Sequence, residues 1–381
     1  MGQETIFRHR RNDEIEVLRA IAVLFVVVGH INTLLYWRQD TFDAYVNLYG
    51  GVDLFFCISG FVITSAFGKE IASSVGHPAL YWRTVVAFYI RRAYRILPLS
   101  WAVFFATFAL LCFHKFSIEL LHRSLGDFLA IAFNVQNFHL ANCASASSNG
   151  CGQFAIYWSL SLEEQFYFLF PFLFLLPRRI MIFGLIVVVV LFAFLPRTSM
   201  VWMTRVDAIA LGVLLACARD SHAYRAFEPT ILSRRLFRIL VGSILILGLA
   251  VIPTGIVPFY PTMVSLISLL LVFVASYDRG FLFAPGRLRS LLVWIGQRSF
   301  AIYLIHNTVF WIIVGASKVL FPQAAHSWLT AAVFLIVAVV LLAVISDLSF
   351  RHLETPIRKR GKQVADDYVR NLSEPAAIRQ I

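Results

Sequence analysis

Polar and apolar positions segregate on the scale of whole helices in this chain. Runs of mostly apolar residues recur from Val17 onward, and the segments between them hold most of the charge. Such runs approach the ~20 residues that a helix needs to cross a bilayer. The pattern predicts ten spans, over 17–36, 51–68, 97–114, 157–176, 181–196, 206–218, 239–253, 261–276, 291–315 and 328–350. The first run is too long for a signal-peptide core and precedes no small-residue cleavage site, so it reads as a retained span. An apolar stretch over Asp127–Phe138, DFLAIAFNVQNF, lies in the longest connecting loop. It is expected to be a re-entrant or interfacial helix, because an eleventh span would invert every later loop.

Composition agrees: 59% of the 381 residues are hydrophobic and only 14% are charged. The net charge of +12 first suggests a nucleic-acid partner. Its distribution argues otherwise. With the N-terminus inside, 25 Lys and Arg fall in inner segments and 6 in outer loops, which satisfies the positive-inside rule. The fold expected is an all-α polytopic membrane protein with both termini cytoplasmic. Residues 1–16 form a cytoplasmic segment, 17–350 the membrane domain and 351–381 a basic cytoplasmic tail, with no soluble domain appended. Cys143 and Cys151 flank a polar run in the outer loop. They either pair, if that side is oxidising, or remain thiols. Cys57, Cys112 and Cys217 read as packing residues, and no cluster of metal ligands is evident.

Polar residues inside apolar spans are costly and mark candidate function. Arg19 and His30 are eleven residues apart, close to three helical turns, which places them on one face about 16 Å apart along the axis. Arg19 alone could snorkel to the headgroups, and His30 alone could be a satisfied core histidine. Asp53, in GGVDLFFCISGF, is placed to orient and charge-stabilise the imidazole, or to cap its helix. Ser59 and Gly60 read as packing positions. Arg91, Arg92 and Arg95 form either a solvated basic cluster or a phosphate site. In YWSLSLEEQFYF, Glu163 and Glu164 lie about 100° apart, so one is expected to face the centre; Glu164 is the candidate catalytic partner, and Trp158, Ser159 and Glu163 are candidate substrate contacts. Arg205 and Asp207, with Tyr303 and His306, complete the substrate set, although pairing among the buried charges, including Arg298 and Glu354, explains some of them.

Seven segments resemble the acyltransferase-3 family of integral membrane O-acyltransferases, in family order from about residue 14 to residue 358. They are the Arg19-x10-His30 pair, GGVDLFFCISGF, FYIRRAYRILP, WSLSLEEQFY, RVDAIALG, SFAIYLIH and LETP. The resemblance implies transfer of an acyl group, usually acetyl from acetyl-CoA, to a carbohydrate hydroxyl such as that of O-antigen lipopolysaccharide, exopolysaccharide, or a peptidoglycan-linked or lipid-linked sugar. It also implies a multi-pass protein of the bacterial cytoplasmic membrane. On this reading Arg91, Arg92 and Arg95 hold the CoA phosphates, Arg19 guides the arm and His30 is a general base or transient acyl carrier, with no metal required. The alternative is a transporter or flippase of a lipid-linked saccharide, for which buried charges and ten spans would serve equally well.

Overall fold

A computed structural model describes residues 12–35, 47–113, 118–145, 154–196, 198–252, 259–321 and 327–371. Every regular element among them is helical. We number the principal helices α1 (Asp13–Gly29), α2 (Gly50–Ile63), α3 (Pro78–Phe113), α4 (Ile118–Ala132), α5 (Gln136–Ser145), α6 (Tyr157–Leu173), α7 (Arg178–Phe194) and α8 (Ser199–Thr204). They continue as α9 (Asp207–Ala218), α10 (Arg235–Val251), α11 (Tyr260–Ser276), α12 (Arg287–Gln297), α13 (Ser299–Leu320), α14 (Trp328–Ser349) and α15 (Thr355–Asn371).

The distribution of side chains is inverted relative to a water-soluble protein. Ile336, Val339, Val340, Val344 and Leu348 stand exposed along α14, while Glu14, Glu16, Asp53, Asp207, Arg298 and His306 are buried. An apolar exterior of this extent fits hydrocarbon as the surrounding solvent. The expected spans fall largely on helix, but among the described residues six helical stretches, not ten, are long and apolar enough to cross a membrane. Two boundaries differ from expectation. Span three begins inside α3, whose 36 residues reach about 54 Å, longer than the ~30 Å hydrocarbon layer. Span nine is two helices, α12 and α13, joined at Arg298.

Helix α2 is the axis of the bundle, buried along nearly its whole length. It meets α9 at a reciprocal pair of glycines. A Cβ on Gly60 would stand 2.2 Å from the Ile209 carbonyl, and one on Gly212 would stand 2.2 Å from the Cys57 carbonyl. Only hydrogen at both positions permits this backbone approach, so Gly60 is indeed a packing residue.

The stretch Asp127–Phe138 forms no eleventh span. It bends between α4 and α5, with Asn134 at φ 53° in the turn. Buried Asp127 there accepts hydrogen bonds from Gln136 (2.8 Å) and the Phe154 amide (3.3 Å). Cys143 is disulfide-bonded; Cys151, weighed as its partner, lies outside the described residues. The segment after residue 354 is ordered as α15 and docks on α3, with Ala365 fully buried and Gly361 against Tyr94.

The two ends of the bundle are distinct. At the end where α1 begins, Glu14 accepts from the amides of Gly280 (3.1 Å) and Leu282 (2.7 Å), and Asp278 accepts from Arg289 (3.2 Å). At the end where α1 finishes, Gly29 packs on Leu48, and Asp53 meets Arg205.

Candidate active site

A cavity runs between α1, α2, α3, α6, α13 and α15. Arg19, Arg92, Arg95 and Arg358 line it, facing Glu163 and Glu354. Arg92 and Arg95 share the inward face of α3 through their three-residue spacing. Arg91 points elsewhere. It binds Asp366 of α15 at 2.8 Å and lies 3.9 Å from Glu70, so it is a structural cation rather than part of the cavity wall. Arg19 also binds Glu16, at 3.2 Å. The Arg92 guanidinium lies 5.1 Å from the Phe67 ring centre, and its Nε is buried without a hydrogen-bond partner. With Arg19 paired to Glu16, three further guanidinium groups face two carboxylates and leave an excess of positive charge, which suits a polyanion such as a phosphorylated ligand.

Of the two adjacent glutamates, Glu163 takes the cavity and Glu164 does not line it. This reverses the expected assignment. Glu163 accepts from the Ser59 and Tyr167 hydroxyls, while Glu164 is flanked by Glu163 and Arg92 and has one carboxylate oxygen unpartnered. Further along, Tyr303 donates to the Ile156 carbonyl (2.9 Å), which leaves its oxygen to accept from Ser159 (2.5 Å). Trp158 packs edge-on against Phe56 and is not part of the lining.

Phe55 and Tyr303 belong to the cavity wall, and their rings meet at 6.1 Å. Beyond Tyr303 stand His306, 5.9 Å away by ring centres, and then His30, a further 5.0 Å. Helix α1 ends at Gly29, and His30 is the turn residue between it and a short helix, Ile31–Leu34, within one apolar stretch of spanning length, Asp13–Leu34. Arg19 and His30 thus share one spanning stretch, as expected, with a one-residue turn at His30 interrupting the helical face. The Val26 carbonyl accepts twice from this residue, from the His30 backbone amide at 3.1 Å and from its imidazole, whose Nδ1 donates at 2.8 Å.

The same logic assigns His306. Its Nδ1 donates to the Tyr303 carbonyl at 2.6 Å, leaving Nε2 as an acceptor directed at His30 Nδ1, 3.4 Å away. Two acceptors therefore hold the proton of neutral His30 on Nδ1, and its Nε2 keeps a free lone pair. His30 is half-buried and His306 is fully enclosed.

Asp53 does not orient His30. It is buried in an ion pair with Arg205, whose guanidinium stacks 3.9 Å from the Trp202 ring centre. Neighbouring Asp207 accepts from Ser265 at 2.7 Å. Arg298 is spent in pairing with Asp347 (2.6 Å).

Among the wall residues that the sequence did not single out as functional are Ser59, Tyr167 and Arg358. Tyr167 lies one turn from Glu163, a spacing that was available as a signal. The tail position of Arg358 carried none. Among the described residues no group of three or more His, Cys, Asp or Glu side chains is gathered to hold a metal ion.

Comparison with known proteins places these features in context. The chain is 28% identical over 398 residues to O-acetyltransferase OatA of Staphylococcus aureus (strain NCTC 8325 / PS 47), covering 94% of this chain and 59% of that protein. It is 27% identical over 389 residues to peptidoglycan O-acetyltransferase OatA of Listeria monocytogenes, covering 95% and 58% respectively. A putative peptidoglycan O-acetyltransferase, YrhL of Bacillus subtilis, is 27% identical, with 93% and 56% covered. The chain thus spans less than two thirds of the length of these curated relatives. No solved structure matches significantly. The family model described as Acyltransferase domain matches residues 12–347, and the chain belongs to that acyltransferase-3 family.

Proposed function

We propose that the chain is a membrane O-acetyltransferase that moves an acetyl group from cytoplasmic acetyl-CoA to a hydroxyl of a cell-wall carbohydrate. One observation carries the reading: a cation-lined cavity is followed, through Tyr303 and His306, by a partly buried histidine whose Nε2 is free to accept a proton. The names of the relatives favour a peptidoglycan acceptor. The concentration of Lys and Arg in the segments on the side where α1 begins supports reading that end as the cytoplasmic one.

In this mechanism Arg92, Arg95 and Arg358 bind the CoA phosphates, with Arg19 beside the path of the arm. The hydroxyls of Ser59, Ser159 and Tyr303 offer hydrogen bonds along the wall. The Phe55–Tyr303 pair must part for the thioester to reach His30. The acceptor hydroxyl arrives from the opposite end and gives its proton to His30 Nε2 as its oxygen attacks the thioester carbonyl carbon. The carbon–sulfur bond then breaks, and the departing thiolate takes the proton from the imidazolium. His306 and the Val26 carbonyl stabilise the Nδ1–H tautomer throughout.

The test is mass spectrometry of surface glycans from cells with the gene, without it, and complemented by His30→Ala. Acetylated glycan should vanish in the last two. Retained acetylation in either would refute the assignment, and a saccharide transporter would alter glycan delivery without this acetyl signature.

A further inference from the structure

A second cavity, of about 280 Å³, opens at the end where α1 finishes, lined by Ala144, Thr198, Trp202, Arg205, Asp207 and Tyr260. It lies near His30 through a short chain of contacts. Gly29 packs on Leu48, and the next residue, Tyr49, meets Trp202 edge-on at 6.1 Å. The polar groups in its wall are almost wholly buried, Arg205 at 3% and Asp207 at 1% exposure. Arg205 Nε and Nη1 and one carboxylate oxygen of Asp207 have no hydrogen-bond partner, nor does one oxygen of Asp53 behind them. Buried polar atoms are seldom left unpaired, because each costs roughly the desolvation of that group.

We infer that this cavity holds one sugar ring of the acceptor, an inference that rests on the proposed acyl transfer. A neutral polyhydroxyl ring supplies what the wall lacks. Its hydroxyls accept from Arg205 and donate to Asp207, and its apolar C–H face fits the aromatic surface of Trp202 and Tyr260. Charge narrows the class. Asp53, behind the wall, already pairs with Arg205, and Asp207 adds a second carboxylate, so a phosphate or carboxylate ligand gains no net attraction whereas a neutral saccharide is not repelled. The free donors of Arg205 equally disfavour a cation. Ordered water is the competing occupant, since it also satisfies unpaired atoms, but it has no use for the two rings.

The experiment uses the detergent-solubilised chain and saturation-transfer NMR, with tri-N-acetylglucosamine and maltotriose as probes. At least one probe should bind saturably. Trp202→Ala and Asp207→Asn should each weaken that binding about tenfold while leaving CoA affinity, measured by calorimetry, unchanged within about twofold. Intact CoA binding also establishes that the variants fold. Absence of saturable binding to the unaltered chain, or unchanged affinity in both variants, would overturn the inference and assign the unpaired atoms to water. The broader reading fails differently: glycan would bind as described, yet acetyl-CoA would not turn over with glycan present.

Discussion

Replacing His306 with Phe isolates what the second imidazole does. The substitution keeps a ring of comparable size against Phe310, 5.9 Å away by ring centres, but removes the Nε2 acceptor 3.4 Å from His30 Nδ1. The Val26 carbonyl, at 2.8 Å, still holds the same tautomer. One neutral hydrogen bond is therefore lost out of two, worth about 0.5–1.5 kcal/mol. At about 1.4 kcal/mol per tenfold in rate, kcat should fall roughly two- to twelvefold. Removing the base outright costs about 10²- to 10⁴-fold. The assay is transfer of labelled acetyl from acetyl-CoA to a glycan by the purified protein, with thermal unfolding to verify the fold. The KM for acetyl-CoA should not change, and His306→Gln, whose amide oxygen can accept, should recover part of the loss. Because His306 acts only through His30, His30→Ala combined with His306→Phe should be no slower than His30→Ala alone. Losses that multiply, or a His306→Phe variant as inactive as His30→Ala, would refute the positioning role.

Three further outcomes follow from the geometry. Arg92→Ala and Arg95→Ala should each weaken CoA binding by about 1.5–3 kcal/mol, the worth of a charge-assisted hydrogen bond. Arg91→Ala should leave CoA affinity unchanged, since its partners are Asp366 and Glu70; calorimetry separates the two. Phe55→Ala removes one side of the barrier between cavity and His30, and should raise acetyl-CoA hydrolysis in the absence of acceptor, read by thiol release. Arg205→Ala strands Asp53 as an uncompensated buried charge, at a cost of about 3–5 kcal/mol. Its thermal midpoint should drop sharply, and Asp53→Asn added to it should restore much of the loss.

The architecture was legible because the membrane imposes a coarse rule, apolar runs of spanning length, that needs no knowledge of partners. The rule failed where helix continues past the bilayer, as in the first half of α3, and where a span breaks, as at Arg298. The site was legible as residue types and less so as pairings. Arg19 stood out by its cost within a span and Arg92 and Arg95 as a basic cluster at helical spacing, and the fold brings them with Ser159 around one cavity. Periodicity could not say which glutamate of Glu163–Glu164 faces inward, because adjacent positions differ only by 100° and the bundle's centre is set by neighbouring helices. It could not find the partner of Asp53, since Arg205 is 152 positions away. The turn at His30 was equally hidden: no proline marks it, and helix resumes at Ile31.

The central claim is that His30 is the base that takes the acceptor's proton while the arginine cavity holds the donor. The most direct measurement pairs acetyl transfer with CoA binding in the purified His30→Ala protein. The account predicts transfer reduced at least about a hundredfold with CoA affinity equal to that of the unaltered chain. Undiminished transfer, or CoA binding lost together with transfer, would contradict it.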